Sequence, residues 1–269
     1  MEVSAPADFA ADTQVEPLET GRYAVEIKDS WSGPPGPNGG YVAALILRAI
    51  RASVPEAERS PCSLTIHYLR PPADGPAEVE VEVERSGRTA TTCSARLEQG
   101  GKVRCLALCV LAEDFESAAD WSIPPPEAPP PSEIEPIDSS FMPPRIFEQL
   151  EMRMLFGGVP FTGGEGEAGG WLRTRSPAAL EPELVAMYTD AWWPAPFPRV
   201  QTPFLAPTLD LTIHFRGRPP QGDHEHVLAR FTSSTSSRGY FEEDGELWSE
   251  DGTLLAQSRQ LALARPWKR

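Results

Sequence analysis

Cysteine is scarce, and what there is does not pair. The four residues, Cys62, Cys93, Cys105 and Cys109, all lie in the first half and form no C-x-x-C unit, which argues against a zinc site or a disulfide framework. Cys93, Cys105 and Cys109 fall in apolar or alternating runs, where a free thiol acts as a small hydrophobe, so they are expected to be buried and structural. Long apolar runs are missing too. The longest, such as Tyr41 to Leu47 and Cys105 to Ala112, are well short of the ~20 residues a membrane-spanning helix needs. Residues Met1 to Asp8 carry neither a basic start nor an apolar stretch, so no secretory signal is expected and a cytoplasmic location is. Positive charge is in the minority: 24 Lys and Arg against 39 Asp and Glu leave a net charge of −15, unlike a generic nucleic-acid binder. The glycine-rich run from Gly157 to Gly170 contains Glu165 and Glu167 but no Gly-Lys-Ser/Thr; a phosphate loop is rejected, and a flexible hairpin tip is expected there. No metal or cofactor is expected.

What the chain does contain is a degenerate tandem repeat. Leu64-Thr65-Ile66-His67-Tyr68 is followed by Arg70-Pro71-Pro72, and Leu211-Thr212-Ile213-His214-Phe215 by Arg218-Pro219-Pro220. Two such units imply two copies of one fold packed together. The residue just before the repeat differs, Ser63 in one copy and Asp210 in the other. His67 and His214 hold equivalent places in both, so a shared structural role is expected of them rather than base chemistry.

Each copy reads as a helix followed by a meander of strands. In the first, a polar leader of about 30 residues and a breaker-rich loop precede a helix over Tyr41 to Ile50, apolar around most of its circumference and so expected to be central and buried. Asn38 suits its N-cap, and Gly39 and Gly40 would let backbone come close to a ligand. Strands are expected over Ser63 to Leu69, Ala77 to Glu84, Thr89 to Leu97 and Val103 to Leu111. The second alternates valine with glutamate, as in an antiparallel sheet covered on one side. Residues 122–144, with Pro124-Pro125-Pro126 and Pro129-Pro130-Pro131, read as an extended spacer. The second copy is expected to have strands near Arg145 to Leu155 and Trp171 to Arg175, a helix from Glu181 to Trp193 capped near Pro182, and strands over Leu209 to Arg216, His226 to Ser234, Gly239 to Ser249 and Leu254 to Ala264. The fold class is therefore α+β, with a first unit over 1–121, the linker over 122–144 and a second unit over 145–269.

This order resembles the double hot-dog proteins, in particular the acyl-CoA thioesterase II family. The likeness rests on Asn38-Gly39-Gly40-Tyr41, Tyr68-Leu69-Arg70-Pro71, Leu209-Asp210, Ser237-Arg238-Gly239-Tyr240, Asp251-Gly252-Thr253-Leu254 and Arg259-Gln260. It implies a water oriented and activated by an aspartate, a serine or threonine and a glutamine. By motif position these would be Asp210, Gln260 and a hydroxyl from the run Thr232, Ser233, Ser234, Thr235, with Thr232 favoured by counting back from Arg238. A carboxylate base can hydrolyse a thioester through such a water with neither covalent intermediate nor metal. Backbone N–H groups at Gly39, Gly40 and Tyr41 would receive the oxyanion or a phosphate. Arg70, Arg216, Arg218 and Arg238 are the cations near the repeats, and Arg238 is assigned to substrate. Trp31, Trp192, Trp193 and Phe197 either line an acyl tunnel or pack the core.

The resemblance therefore implies cofactor-free hydrolysis of acyl-CoA. Leu211 and Leu261 stand where the family usually places histidine and glutamate, which keeps a non-catalytic acyl-CoA binder as an alternative, beside a hot-dog dehydratase. Exposed edge strands lead to the expectation of a homo-oligomer.

Overall fold

The computed structural model describes residues 6–34, 36–56, 59–138, 144–218 and 226–267. Pro219 and Pro220 of the second repeat, and the 139–143 stretch of the linker, lie outside them. The first half supplies strands β1 (Val15–Glu19), β2 (Arg22–Ile27), β3 (Ser60–Tyr68), β4 (Gly75–Ser86), β5 (Ala90–Gln99) and β6 (Lys102–Ala112). The second supplies β7 (Leu150–Gly157), β8 (Glu167–Thr174), β9 (Thr208–Phe215), β10 (Val227–Thr232), β11 (Ser236–Ser237), β12 (Tyr240–Ser249) and β13 (Leu254–Leu263). All thirteen belong to one antiparallel sheet in the order β1-β2-β4-β5-β6-β3-β9-β13-β12-β10-β8-β7, with β11 paired to β12. Helix α1 (Gly39–Ser53) packs on its inner face, and helix α2 (Pro182–Tyr188) packs against α1. This is a double hot-dog fold.

The repeat strands are the seam. β3 and β9 run antiparallel with Thr65 opposite Thr212, their hydroxyls 3.0 Å apart, and with Ile66 opposite Leu211 and Leu64 opposite Ile213. Those four aliphatic side chains are buried, while His67 and His214 point outward and are exposed. The alternation of β4 also follows the sequence: Ala77, Val79 and Val81 are buried.

Helix α1 is buried around most of its circumference, from Gly40 through Leu47 and again at Ala49 and Ile50. Asn38 caps it, its Oδ1 accepting from Tyr41 N at 3.0 Å. Its contact with α2 is close: a Cβ on Gly40 would lie 2.4 Å from the Met187 carbonyl oxygen. At the other end Arg51 Nη1 donates to both oxygens of Glu183 at 2.7 Å, an ion pair whose carboxylate is buried.

The structure corrects one expectation, the length of the second helix, and adds to two others. The polar leader is part of the sheet: Tyr23, Val25 and Ile27 alternate inward and place β2 beside β4. Helix α2 stops at Tyr188, well before Trp193, and the chain turns at Thr189 and Asp190 toward the start of α1. The proline-rich linker is docked along the second half: Trp171 Nε1 donates to Pro129 O at 2.9 Å, and Ile137 N to Met152 O at 2.7 Å on edge strand β7.

The glycine-rich segment is likewise held, with Gly163 N and Gly164 N donating to Pro198 O at 2.9 and 2.7 Å. Cys93, Cys105 and Cys109 are buried free thiols and Cys62 is exposed. No helix among the described residues is long and apolar enough to cross a membrane.

Candidate active site

Where the turn after α2 meets the start of α1, a carboxylate is held by the opposite half of the molecule. Asp190 is half-buried. Its Oδ2 accepts from Gly40 N and from Asn38 Nδ2, both at 3.1 Å, and Asn38 Nδ2 also donates to the Asp190 carbonyl at 2.6 Å. Gly39 has little room for a side chain, because a Cβ there would lie 2.8 Å from Asp190 Oδ2. A carboxylate at a helix N-terminus gains from the dipole and from N–H groups that lack helical partners. Burial outweighs these donors and raises the Asp190 pKa to about 6.

Gln260, on β13, is buried and joins Asp190 to two further groups. Its Nε2 donates to Asp190 Oδ1 at 3.4 Å and to Glu243 Oε1 at 2.6 Å, while its Oε1 accepts from Thr208 Oγ1 at 2.7 Å. Glu243, on β12, is buried and its Oε2 accepts from Ala195 N at 2.5 Å. Desolvation pushes its pKa up to about 8 against the help of those two N–H donors. The cluster is thus an aspartate, a threonine hydroxyl and a glutamine amide in contact, with a second carboxyl behind the amide.

Of the residues singled out from sequence, Gln260 lies in this cluster, and Gly39 and Gly40 border it. Asp210 does not reach it. The register of β9 against β13 shifts between Thr208 and Asp210, so Thr208 shares the inner face with Ala262 whereas Asp210 stands opposite outward-facing Leu261 and His67. A one-residue change of parity moves a side chain to the other face of a sheet.

Thr232 is exposed and lines an outer cleft with Thr212, His214 and Arg230. Its neighbours are spent elsewhere: Ser233 Oγ, Ser234 N and Oγ, and Thr235 N all donate to the Glu242 carboxylate. Arg238 sits in a left-handed turn at φ 55° in a separate cleft with Thr235, Tyr240 and Leu261. Tyr41 belongs to the core. Its ring stacks on Trp31 and its hydroxyl donates to Asp12 O at 2.8 Å.

The α1 N-terminus therefore holds Asp190 in the place where an oxyanion or phosphate was expected. Gly40 N is taken by the carboxylate and Tyr41 N by the Asn38 cap.

Sequence reading missed Asp190, Thr208 and Glu243. One signal for Asp190 was available: an aspartate closing a helix opposes the dipole, and such a local inconsistency marks functional positions. The turn that follows it carries Trp192 and Trp193, buried and with indole N–H groups unpartnered among the described residues. Phe161, Phe197, Phe204 and Phe241 form a row of ring contacts beside the cluster, with centroids 4.9, 5.0 and 6.1 Å apart in succession. Among the described residues no group of three or more His, Cys, Asp or Glu side chains could hold a metal ion.

Comparison with known proteins matches both halves. Residues 27–112 fit the model of the acyl-CoA thioesterase N-terminal domain, and residues 122–264 that of the acyl-CoA thioesterase C-terminal domain. A hot-dog protein of unknown function from Alicyclobacillus acidocaldarius superposes with TM-score 0.87 at 24% identity, covering 97% of this chain and 98% of its own. A candidate thioesterase II from Thermobifida fusca YX superposes with TM-score 0.82 at 27% identity, covering 96% and 98%. The thioesterase-like protein TwmA of Talaromyces wortmannii is 35% identical over 100 residues, 36% of this chain; the chain spans 28% of that relative's length.

Proposed function

The chain belongs to the hot-dog acyl-CoA thioesterase-like superfamily, and from that premise we propose that it hydrolyses acyl-CoA to a free carboxylic acid and CoA, using a water held by Asp190, Thr208 and Gln260. The observation that carries this reading is the contact among those three groups of the second half, with Asp190 held in place by Asn38 and Gly40 of the first. They are the residue types that the thioesterase resemblance implies, with the carboxylate and the hydroxyl at positions other than Asp210 and Thr232.

The chemistry follows from the hydrogen bonds. Thr208 donates its O–H to Gln260 Oε1, so its oxygen lone pairs are left to accept one hydrogen of a water. Asp190 accepts the other, which aims a water lone pair at the thioester carbonyl carbon. As the C–O bond forms, the proton passes to Asp190. Collapse of the tetrahedral intermediate breaks the C–S bond, and the departing thiolate takes that proton back as CoA-SH. A carboxylate with a pKa near 6 is a stronger base than an ordinary one and is still mostly ionised at neutral pH. The row from Phe161 to Phe241 offers an apolar wall to an acyl chain.

Release of free CoA from short, medium, long and aromatic acyl-CoAs tests the reading. Turnover by the wild type is expected, with Asp190→Asn reducing kcat by about 10²–10⁴-fold and Asp210→Asn leaving it within about threefold, as for a surface change. Loss of activity in Asp210→Asn but not in Asp190→Asn would overturn the assignment. Thermal stabilisation by acyl-CoA without turnover would replace hydrolysis with binding.

A further inference from the structure

The hydrolytic reading uses one carboxylate, yet the site contains two. Glu243 reaches the cluster from β12, a strand away from Gln260, and shares the Gln260 Nε2 group with Asp190. Two carboxylates that close, one buried and one half-buried, repel strongly enough that one keeps its proton. None of the ion pairs among the described residues reaches either of them.

The charged and titratable groups facing the pair are few. From β3, the Tyr68 phenol donates to Gly39 O at 2.7 Å, and both it and Asp190 border Gly39. Glu242, next to Glu243 on β12, faces outward and is bound to Ser233, Ser234 and Thr235. From the α2 side Asp190 and the backbone N–H of Ala195 face Glu243.

We infer that Glu243 is a positioning residue of this site: with Asp190 it forms a carboxyl pair bridged by Gln260 that carries one negative charge, the charge on Asp190 and the proton on Glu243. The asymmetry follows from the donors. Asp190 has the α1 N-terminus, Gly40 N, Asn38 Nδ2 and Gln260 Nε2, whereas Glu243 has Ala195 N and Gln260 Nε2. Pair charge of this kind collects where the donors and the helix dipole are. The separate pKa values, about 6 for Asp190 and about 8 for Glu243, agree with that order.

The pair also fixes the amide. Ionised Asp190 can only accept, so Gln260 turns Nε2 toward it and toward Glu243 and Oε1 toward Thr208, which donates to it. Ionising Glu243 would place a second negative charge behind the water, opposing the oxyanion and thiolate that form during hydrolysis.

This inference rests on the proposed hydrolysis for its catalytic consequence and not for its protonation state. The pH profile of kcat/KM in the wild type is expected to rise as Asp190 ionises and to fall above about pH 8, by roughly tenfold per pH unit. Glu243→Gln keeps the acid limb and loses the alkaline one, an outcome that a purely structural role would not produce. An alkaline limb unchanged in folded Glu243→Gln overturns the proposal.

An independent measurement needs neither turnover nor a variant. In protein labelled with ¹³C at the glutamate side-chain carboxyl, one glutamate is expected to titrate far above the others, near pH 8. If every glutamate titrates in the ordinary range the inference fails, whether or not the chain hydrolyses a thioester. If that glutamate is seen and no substrate is turned over, the pair stands and the hydrolytic reading falls.

Discussion

Leu64 in the first half and Leu211 in the second occupy the same place in the repeat, and each faces two inward residues on the next two strands. Beside Leu64 these are Cys109 and Cys93; beside Leu211 they are Gln260 and Glu243. All four are buried. One scaffold thus carries two thiols at the positions where its twin carries an amide and a carboxyl. The difference lies in what each pair can bind. Gln260 and Glu243 meet Asp190, Thr208 and Ala195 N, whereas the place equivalent to Thr208 in the first half, opposite Leu111, is Pro61, which has no hydroxyl. Buried thiols cost little without partners, but buried amides and carboxyls must be satisfied. Half of the molecule has kept a polar site and half has filled the same space as core.

The sharpest break of this comparison removes the charged member of the polar half. Asp190→Asn against Asp210→Asn, followed by CoA release, should separate by about two orders of magnitude or more in kcat, and equal rates would remove the distinction between inner and outer face. The next largest effect comes from giving the first half a polar residue without its partners. Cys109→Gln places an amide beside Cys93 and Leu64, and is expected to destabilise by about 1–3 kcal/mol, read as a lower urea midpoint. An unchanged midpoint would mean that this half has donors or acceptors to spare.

Gly40→Ala brings a methyl group against the Met187 carbonyl oxygen and should cost about 1–3 kcal/mol by overpacking the α1–α2 contact. It also displaces Asp190, so kcat should fall together with the melting temperature; a variant with only one of these changes would uncouple the helix contact from the site.

The last effect concerns pH and stability. Glu243 holds its proton in the folded state to about pH 8, against a starting value of 4.5. Between those limits the unfolded chain releases a proton that the native state retains, so this group turns progressively against folding as pH rises through that window. Glu243→Gln should therefore flatten the decline in urea midpoint from pH 5 to 8, and a decline of unchanged slope would assign it to other groups.

Much of the fold was legible because it follows from periodicity. The LTIH repeat announced a doubled unit, Asn38 before two glycines announced a cap, and the valine-glutamate alternation announced a one-faced sheet; each depends on residues close in sequence. The site depends on residues that are not. Thr208 and Asp210 exchange faces through a bulge that leaves no mark in a single sequence, so Leu209-Asp210 drew attention to the outward carboxylate. Asp190 looked like part of a helix running to Trp193, and only the early turn after Tyr188 carries it to the start of α1. Glu243, in an acidic run between Glu242 and Asp244, was not singled out, although it alternates inward with Phe241 and Leu247. Gln260 was within reach because the resemblance marks Arg259-Gln260, although the outward Leu261 beside it hides the parity of the strand.

The seam between β3 and β9, with Thr65 against Thr212, has one more consequence. In an assembly of two separate chains, dilution would pull such an interface apart and take Asn38 away from Asp190. Here both sides of the seam are parts of one covalent strand of peptide, so their local concentration is set by the connection between them and not by how much protein is present. The chain carries its own partner at every dilution.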